Sequence, residues 1–371
     1  MRLKNPFLTA GYAGKEYFCD RVKETADLIS RLDNDTNMTL ISPRRYGKTG
    51  LIKHILGKLS ERGDVSVVYL DILATRNLTE FAKLFANAVF SSVETKLEKV
   101  LAAAVQFARA IRPTVGIDET TGKPKISFDI APDEAQASVE SVLDYLAKRN
   151  GRVVVAIDEF QQIAEYPETG TEALLRSKIQ FMHNVQFVFA GSRQHMMAEM
   201  FMSPKRPFYN STGNLSLKTI DRDEYYGFAS RFFSEDGREL PRETFDAVYG
   251  RFDGVTWYVQ SVLKGLFAGD WKAPDADAVN AVVSGLLEEN ADNYAYMLSR
   301  CTDGAAELLR AIAAERVVSE PLSADFARTH SLRAPSSVKY ALEKLLADEL
   351  LYQREDGYVI YDRFFGEWLA R

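Results

Sequence analysis

Over the first ~220 residues, short apolar runs alternate with longer stretches of helical period. Such alternation predicts a parallel sheet with helices packed on it. Met38-Thr39-Leu40-Ile41 predicts a first strand, followed by a loop and a helix over about 49–59. Gly63-Asp64 predicts a turn and 65–72 a second strand. Apolar positions at Phe81, Leu84, Phe85, Ala88 and Val89 predict a helix from 78 to about 101. Residues 112–133 carry Pro113, Gly116, Gly122, Pro124 and Pro132, which predict an irregular excursion with a short extended piece at 125–130. A helix over 132–148 has Asp133 and Glu134 in its first turn, where the helix dipole favours them, and Asn150-Gly151 ends it. The unbroken apolar run 152–157 predicts a buried strand ending in Asp158-Glu159. A fourth strand, 186–190, ends in Gly191-Ser192-Arg193, and Leu215-Ser216-Leu217 predicts a short fifth.

From Asp221 the pattern turns helical. Asp221-Arg222-Asp223-Glu224 resembles a capping box, and helices are expected over 225–233, 241–250, 256–267, 273–290 and 293–300. Tyr225, Phe228, Phe232 and Phe233 fall where core residues belong. Helices over 303–316, 322–329 and 336–348 are followed by two strands turning at Glu355-Asp356-Gly357 and a short helix, 363–369. That order predicts a winged helix. The expected domains are therefore 1–219, 220–298 and 299–371.

Composition narrows the class. The chain has 371 residues, 46% apolar and 26% charged, which excludes collagen-like, low-complexity and wholly disordered readings. Cys19 and Cys301 give neither a disulfide framework nor a zinc spacing, so a reducing, cytoplasmic compartment is expected. Arg2 and Lys4 precede no apolar signal region, and the longest mostly apolar stretch, 101–108, is broken by Gln106. No membrane association is expected. A net charge of −6 gives no sign of a basic, duplex-binding surface.

The chemistry concentrates in Ser42-Pro43-Arg44-Arg45-Tyr46-Gly47-Lys48-Thr49, followed by Gly50. This is G-x-x-x-x-G-K-[ST] with serine for the first glycine. In such a loop the backbone amides cradle phosphates, Gly47 permits close approach, Lys48 reaches the β- and γ-phosphates, and the Thr49 hydroxyl takes Mg²⁺. The next helix aims its positive end at the same charge. Asp158, at the end of a buried strand, is placed to hold Mg²⁺, and Glu159 to polarise the attacking water. Ser192 is a candidate contact to the γ-phosphate or water. Arg193 and Arg206 are candidates for sensing the γ-phosphate or acting as an arginine finger. ATP and Mg²⁺ are thus the expected ligands.

The loop, the run Ile157-Asp158-Glu159-Phe160-Gln161 and the strand end Gly191-Ser192 resemble the archaeal/bacterial ATPase-domain family of STAND-like P-loop NTPases, relatives of AAA+ ATPases. Phe18-Cys19-Asp20-Arg21-Val22-Lys23-Glu24 resembles that family's N-terminal box, and the stretch from Gly191 through Pro207-Phe208-Tyr209 is also similar. The resemblance implies an additional-strand P-loop domain, a helical lid, a C-terminal winged helix, and a position near the adenine for Asp20 and Arg21. Gly254–Gln260 resembles the glycine-containing helix start of the lid, with Thr256 where proline often stands.

Three functions follow as expectations: a slow Mg-dependent ATPase acting as a regulatory switch, an ATP-controlled DNA-binding protein, or a nucleotide-bound scaffold without turnover. In the first, lid closure couples the γ-phosphate to the winged helix. From Asp325 onward there are seven Lys/Arg and eight Asp/Glu, and the third helix sets Lys339 and Lys344 against Glu343 and Asp348. That balance favours a protein partner over DNA at the winged helix. Oligomeric state is left open.

Overall fold

The computed structural model describes residues 3–93, 112–117 and 124–371. Within them the chain divides into two compact units, Leu8–Glu224 and a second that joins the stretch ending at Phe7 to Tyr225–Arg371.

The first unit runs α1 (Val22–Asp33), β1 (Met38–Ile41), α2 (Lys48–Glu61), β2 (Val65–Asp71), α3 (Leu78–Val93), β3 (Arg112–Ile117) and β4 (Pro124–Asp129). It continues with α4 (Ala135–Lys148), β5 (Arg152–Asp158), α5 (Thr171–Ile179), β6 (Val185–Gly191), α6 (Gln194–Met202) and β7 (Gly213–Ser216). Five strands form one parallel sheet in the order β2-β5-β6-β1-β7. The strand leading into the phosphate loop, β1, is thus separated from the Asp158 strand, β5, by the inserted β6. This is the additional-strand arrangement.

Helices cover both faces, so the strands are apolar on both sides, as parallel sheets require. Val153, Val155, Ile157, Phe187 and Phe189 join one core with Phe81, Phe85 and Phe160. Their neighbours Val154, Ala156, Val188 and Ala190 join the other, with Leu51, Ile55 and Leu59 of α2. Period-two alternation therefore assigns each strand residue to a face. The register pairs Asp71 with Asp158 and Ile41 with Gly191, which brings the carboxyl ends of these strands to one edge.

In the region 112–133 the extended piece expected at 125–130 appears as β4, whereas β3 departs from expectation. The described strands β3 and β4 form an antiparallel hairpin apart from the main sheet, pairing Arg112 with Asp129 and Ile117 with Pro124. Prolines, which discourage a central strand, are accommodated in a two-stranded ribbon whose outer edges need no partner. Helices α1, α5 and α6 and a 3-10 turn at Phe160–Glu165 also go beyond the sequence reading. The part of the expected helix beyond Val93 lies outside the described residues.

In the second unit, α7 (Arg222–Glu235), α8 (Arg242–Arg251), α9 (Thr256–Ala268), α10 (Ala276–Glu289) and α11 (Ala291–Ser299) precede the winged helix. Phe7 packs among Phe228, Phe232, Phe233 and Phe267, with ring centroids 5.7 to 6.4 Å away. The winged helix comprises α12 (Asp303–Glu315), α13 (Ala324–Thr329), α14 (Pro335–Ala347), β8 (Leu351–Arg354), β9 (Gly357–Ile360) and α15 (Arg363–Leu369). A bridge from Val318 to Tyr358 adds a third strand position.

The helices before α12 and the winged helix share one core. Phe364 of α15 lies against Phe252, Trp257 and Tyr258, at 5.1, 5.8 and 5.0 Å between ring centroids. Arg251 grips Glu367 with two hydrogen bonds, of 3.1 and 2.7 Å. Asp253 ties the wing to α15, 2.9 Å from Arg354 and 3.1 Å from Arg363. Among the described residues no helix is long and apolar enough to cross a membrane, and both cysteines are free thiols.

Candidate nucleotide site

The loop between β1 and α2 turns through two left-handed residues, Arg45 (φ 74°) and Gly47 (φ 89°). Gly47 is the N-cap of α2, and no side chain caps that end. The first amides of the helix are therefore left for a ligand, as at other anion-binding helix starts. Ser42 is fully buried, and its hydroxyl has no hydrogen-bond partner among the described residues. Arg21, itself buried, donates to the Tyr46 carbonyl at 3.1 Å and pairs with Glu24 at 2.8 Å. It ties the segment before α1 to the loop, a contact that the sequence reading did not assign.

At the strand ends four predicted residues meet. Lys48 Nζ lies 3.0 Å from Glu159 Oε1 and 3.3 Å from Asp158 Oδ1. The Thr49 hydroxyl donates to Asp158 Oδ2 at 2.6 Å. Lys48 and Asp158 are 7% and 1% exposed, so neither charge is sustained by water, and each depends on its partners. Ser192, at the end of β6, donates to Glu159 Oε2 at 2.7 Å, and Arg44 Nε lies 3.5 Å from the same hydroxyl.

Burial alone raises the Glu159 carboxyl, but the Lys48 charge and hydrogen bonds from Gln161 and Ser192 more than offset it. The net shift is downward, keeping the carboxylate ionised. Asp71, beside Asp158 in the sheet, is shifted the other way, by burial and by the charges of Asp158 and Glu159.

Two further participants come from the structure. Tyr69 of β2 donates to Asp158 Oδ2 at 3.2 Å, and Gln161 Nε2 donates to Glu159 Oε2 at 2.6 Å. Tyr69 sits inside an apolar strand run and carries no motif signal. Gln161 lies two residues beyond Glu159, so its proximity could have marked it.

Other candidates lie with different partners. Arg193 pairs with Glu165, and Arg206 pairs with Glu172 of α5 and lies 3.8 Å from Glu199. Burial raises the Glu172 carboxyl despite the Arg206 charge. Asp20 accepts from the Val22 amide at 3.4 Å and lines a groove of ≈ 480 Å³ with Thr25, Ile29, His54 and Lys58.

The donor set suits Mg²⁺. A threonine hydroxyl and one carboxylate, both hard oxygens, match an ion that takes one or two carboxylates and completes its octahedron with water and substrate phosphate. Among the described residues no group of three or more His, Cys, Asp or Glu could hold a metal, so a dedicated all-protein cage is not what the site offers.

An additional-strand sheet with a lysine-bearing loop and adjacent carboxylates at its strand ends defines the chain as a P-loop ATPase-type protein. The family described as ATPase domain predominantly from Archaea matches residues 18–262, and the chain belongs to that family. A probable winged helix domain matches residues 292–371. Among solved structures, the Walker-type ATPase of Pyrococcus abyssi is similar over 99% of this chain and 100% of its own, at 18% identity and a TM-score of 0.67. The ORC2 protein of Aeropyrum pernix, solved with ADPNP and ADP, is similar over 95% of this chain and 92% of its own, at 17% identity and a TM-score of 0.61. The ORC1 protein of Aeropyrum pernix, solved in complex with DNA, is similar over 100% of this chain and 97% of its own, at 14% identity and a TM-score of 0.54. These likenesses establish the fold. No curated protein sequence matches the chain.

Proposed function

We propose that the protein is a slow, Mg-dependent ATPase that acts as a cytoplasmic nucleotide-dependent switch. The observation that carries this reading is the cluster of buried Lys48 and Asp158 with half-buried Thr49 and Glu159, held within 3.3 Å contacts at the strand ends. Lys48 and the loop from Ser42 to Gly50 bind the phosphates, and Thr49 with Asp158 holds Mg²⁺. When bound, the metal neutralises charge on the phosphates. Glu159 orients a water and takes its proton while Ser192 steadies the carboxylate. Arg193 and Arg206 serve as γ-phosphate sensors once released from Glu165 and Glu172, and Asp20 and Arg21 border the base.

Lys48 pairs with Asp158 and Glu159, so binding phosphate exchanges one set of partners for another. Nucleotide state is proposed to be read out by the lid helices and the winged helix. Equilibrium binding and phosphate release test the reading together. Lys48→Ala is expected to lose Mg-ATP binding. Glu159→Gln is expected to bind Mg-ATP and to release phosphate far more slowly than the parent. Parent-rate hydrolysis by the glutamine variant would overturn the assignment of the base.

For the winged helix we infer a protein partner. Its cations are largely taken up by neighbouring acids: Arg333 with Glu307 at 3.2 Å, Arg354 with Asp356 at 2.6 Å, Arg328 with Asp325. Phosphate contacts would have to displace those pairs, and duplex binding needs cations in excess. The DNA complex of the Aeropyrum pernix ORC1 protein motivates the competing reading. A gel-shift series over salt, with and without ATP, separates the two, and a salt-dependent complex would favour DNA.

A further inference from the structure

Glu159 stands in an unusual conformation. Its φ of 56° is left-handed, which a residue with a Cβ seldom adopts without help from its surroundings. The 3-10 turn at Phe160–Glu165 starts directly after it, and the Gln162 amide donates back to the Glu159 carbonyl at 2.9 Å. That turn returns Gln161 beneath the Glu159 side chain.

The two carboxylate oxygens then differ. Oε2 receives Gln161 Nε2 at 2.6 Å and the Ser192 hydroxyl at 2.7 Å, whereas Oε1 receives Lys48 at 3.0 Å. Gln161 is 1% exposed, and its own Oε1 is buried with no hydrogen-bond partner among the described residues. Leaving a buried amide oxygen unsatisfied is costly, so the glutamine is not there for its own stability. Its place is also cut to shape. A Cβ on Gly191 would lie 2.4 Å from Gln161 Oε1 and 2.5 Å from Met197 Sδ, so only the bare backbone of β6 leaves room for the carboxamide.

We propose that Gln161 is a positioning residue that, with Ser192, anchors Oε2 of Glu159 and so makes Oε1 the oxygen that faces the attacking water. The proposal rests on the ATPase reading. Lys48 guards Oε1 until phosphate draws the ammonium away, while the two neutral donors stay with Oε2. The freed Oε1 then accepts a proton from water. The water oxygen bonds to the γ-phosphorus, and the bond to the bridging oxygen breaks, leaving its electron pair on ADP. A carboxylate pinned by one oxygen cannot rotate away, and a loss of orientation costs rate without costing affinity.

The test uses the full-length protein with Mg-ATP as the probe. Gln161→Met keeps the length of the side chain, removes the donor and also removes the unsatisfied acceptor. Single-turnover phosphate release is expected to slow by about 10- to 100-fold, with the Kd for Mg-ATP and the melting temperature unchanged. In a Glu159→Gln background the same substitution is expected to add nothing, because Gln161 acts through that carboxylate. Equal slowing in both backgrounds, or a parent rate in Gln161→Met alone, overturns the proposal. Ser192→Ala removes the other donor to Oε2 and gives an independent arm if the methionine variant folds poorly. It too is expected to lose rate only while Glu159 is present, and an additive loss counts against the anchored oxygen. If the parent protein itself releases no phosphate, it is the ATPase reading that fails.

Discussion

The strand-end site and the winged helix are both dense in charge, yet they hold it differently. At the site, Lys48 and Asp158 are withdrawn from water, Glu159 is half-buried, and all three depend on a few short contacts. On the winged helix, Arg328, Lys339 and Glu343 are well exposed and pair along their own helices. Surface pairs of that kind contribute little, with a median of ~0–1 kcal/mol. Breaking a buried pair costs about 3–5 kcal/mol because it strands the remaining charge. The contrast is one of solvation: at the strand ends charge is taken out of water and held by partners, whereas on the winged helix it stays in solvent and keeps a surface polar.

The largest effect expected is on catalysis. Glu159→Gln should lower the rate of phosphate release by ~10²–10⁴-fold, measured in single turnover, with Mg-ATP affinity close to the parent's. Lys48→Ala should weaken Mg-ATP binding by roughly 100-fold or more and also destabilise the nucleotide-free protein, since Asp158 and Glu159 lose their shared cation. A parent-like urea midpoint for that variant would break the comparison from the buried side.

Phe364→Ala should cost about 3–5 kcal/mol of the second unit's stability, because the ring is buried against Phe252, Trp257 and Tyr258. Calorimetry would check it, and a loss confined to the winged helix would show that its core is separate from that of the preceding helices. Arg328→Ala, on α13, should change stability by only ~1 kcal/mol or less, because the side chain and its Asp325 partner are both exposed. A loss rivalling that of Lys48→Ala would break the comparison from the exposed side.

The smallest effect concerns His54, stacked on Phe18 at 4.3 Å with its Nδ1 2.9 Å from the Tyr12 hydroxyl. Burial, with the nearby Lys58 charge, lowers its pKa below the ordinary 6.5. Its imidazole is neutral in both folded and unfolded states above that value. As pH falls through it the unfolded chain takes up the proton first, so stability declines until the folded imidazole also titrates. Replacing His54 with Gln should flatten this part of the stability curve, read as a smaller difference between urea midpoints at about pH 7.5 and about pH 5.5.

Much of the site was legible before the fold was known because its signals are local. The eight residues 42–49 announce phosphate binding by type and spacing, and a buried apolar run ending in Asp158-Glu159 announces the second half. The helices of the second unit and the order of the winged helix were legible for the same reason, as periodicity is a property of neighbours in sequence. Of the antiparallel pair, β4 was legible as an extended piece but β3 was not, because prolines and glycines read as irregularity when no partner strand is in view. Which elements pack together was also hard to read. Phe364 and Arg251 bind the winged helix and the preceding helices into one unit, through residues about a hundred positions apart.

The sequence by itself determined the residue types of the site, the alternation that builds a parallel sheet, and the mixed charge of the winged helix. Tertiary structure decided the partners. Only the strand order β2-β5-β6-β1-β7 sets Lys48 against Asp158 and Glu159 from 110 and 111 residues away in the chain. The same folding decided that Tyr69 holds Asp158, that Arg21 braces the phosphate loop, and that Gln161 and Ser192 share one oxygen of Glu159. The physical reason is that a hydrogen bond depends on distance in space, and no period along the chain encodes which strand will lie beside which.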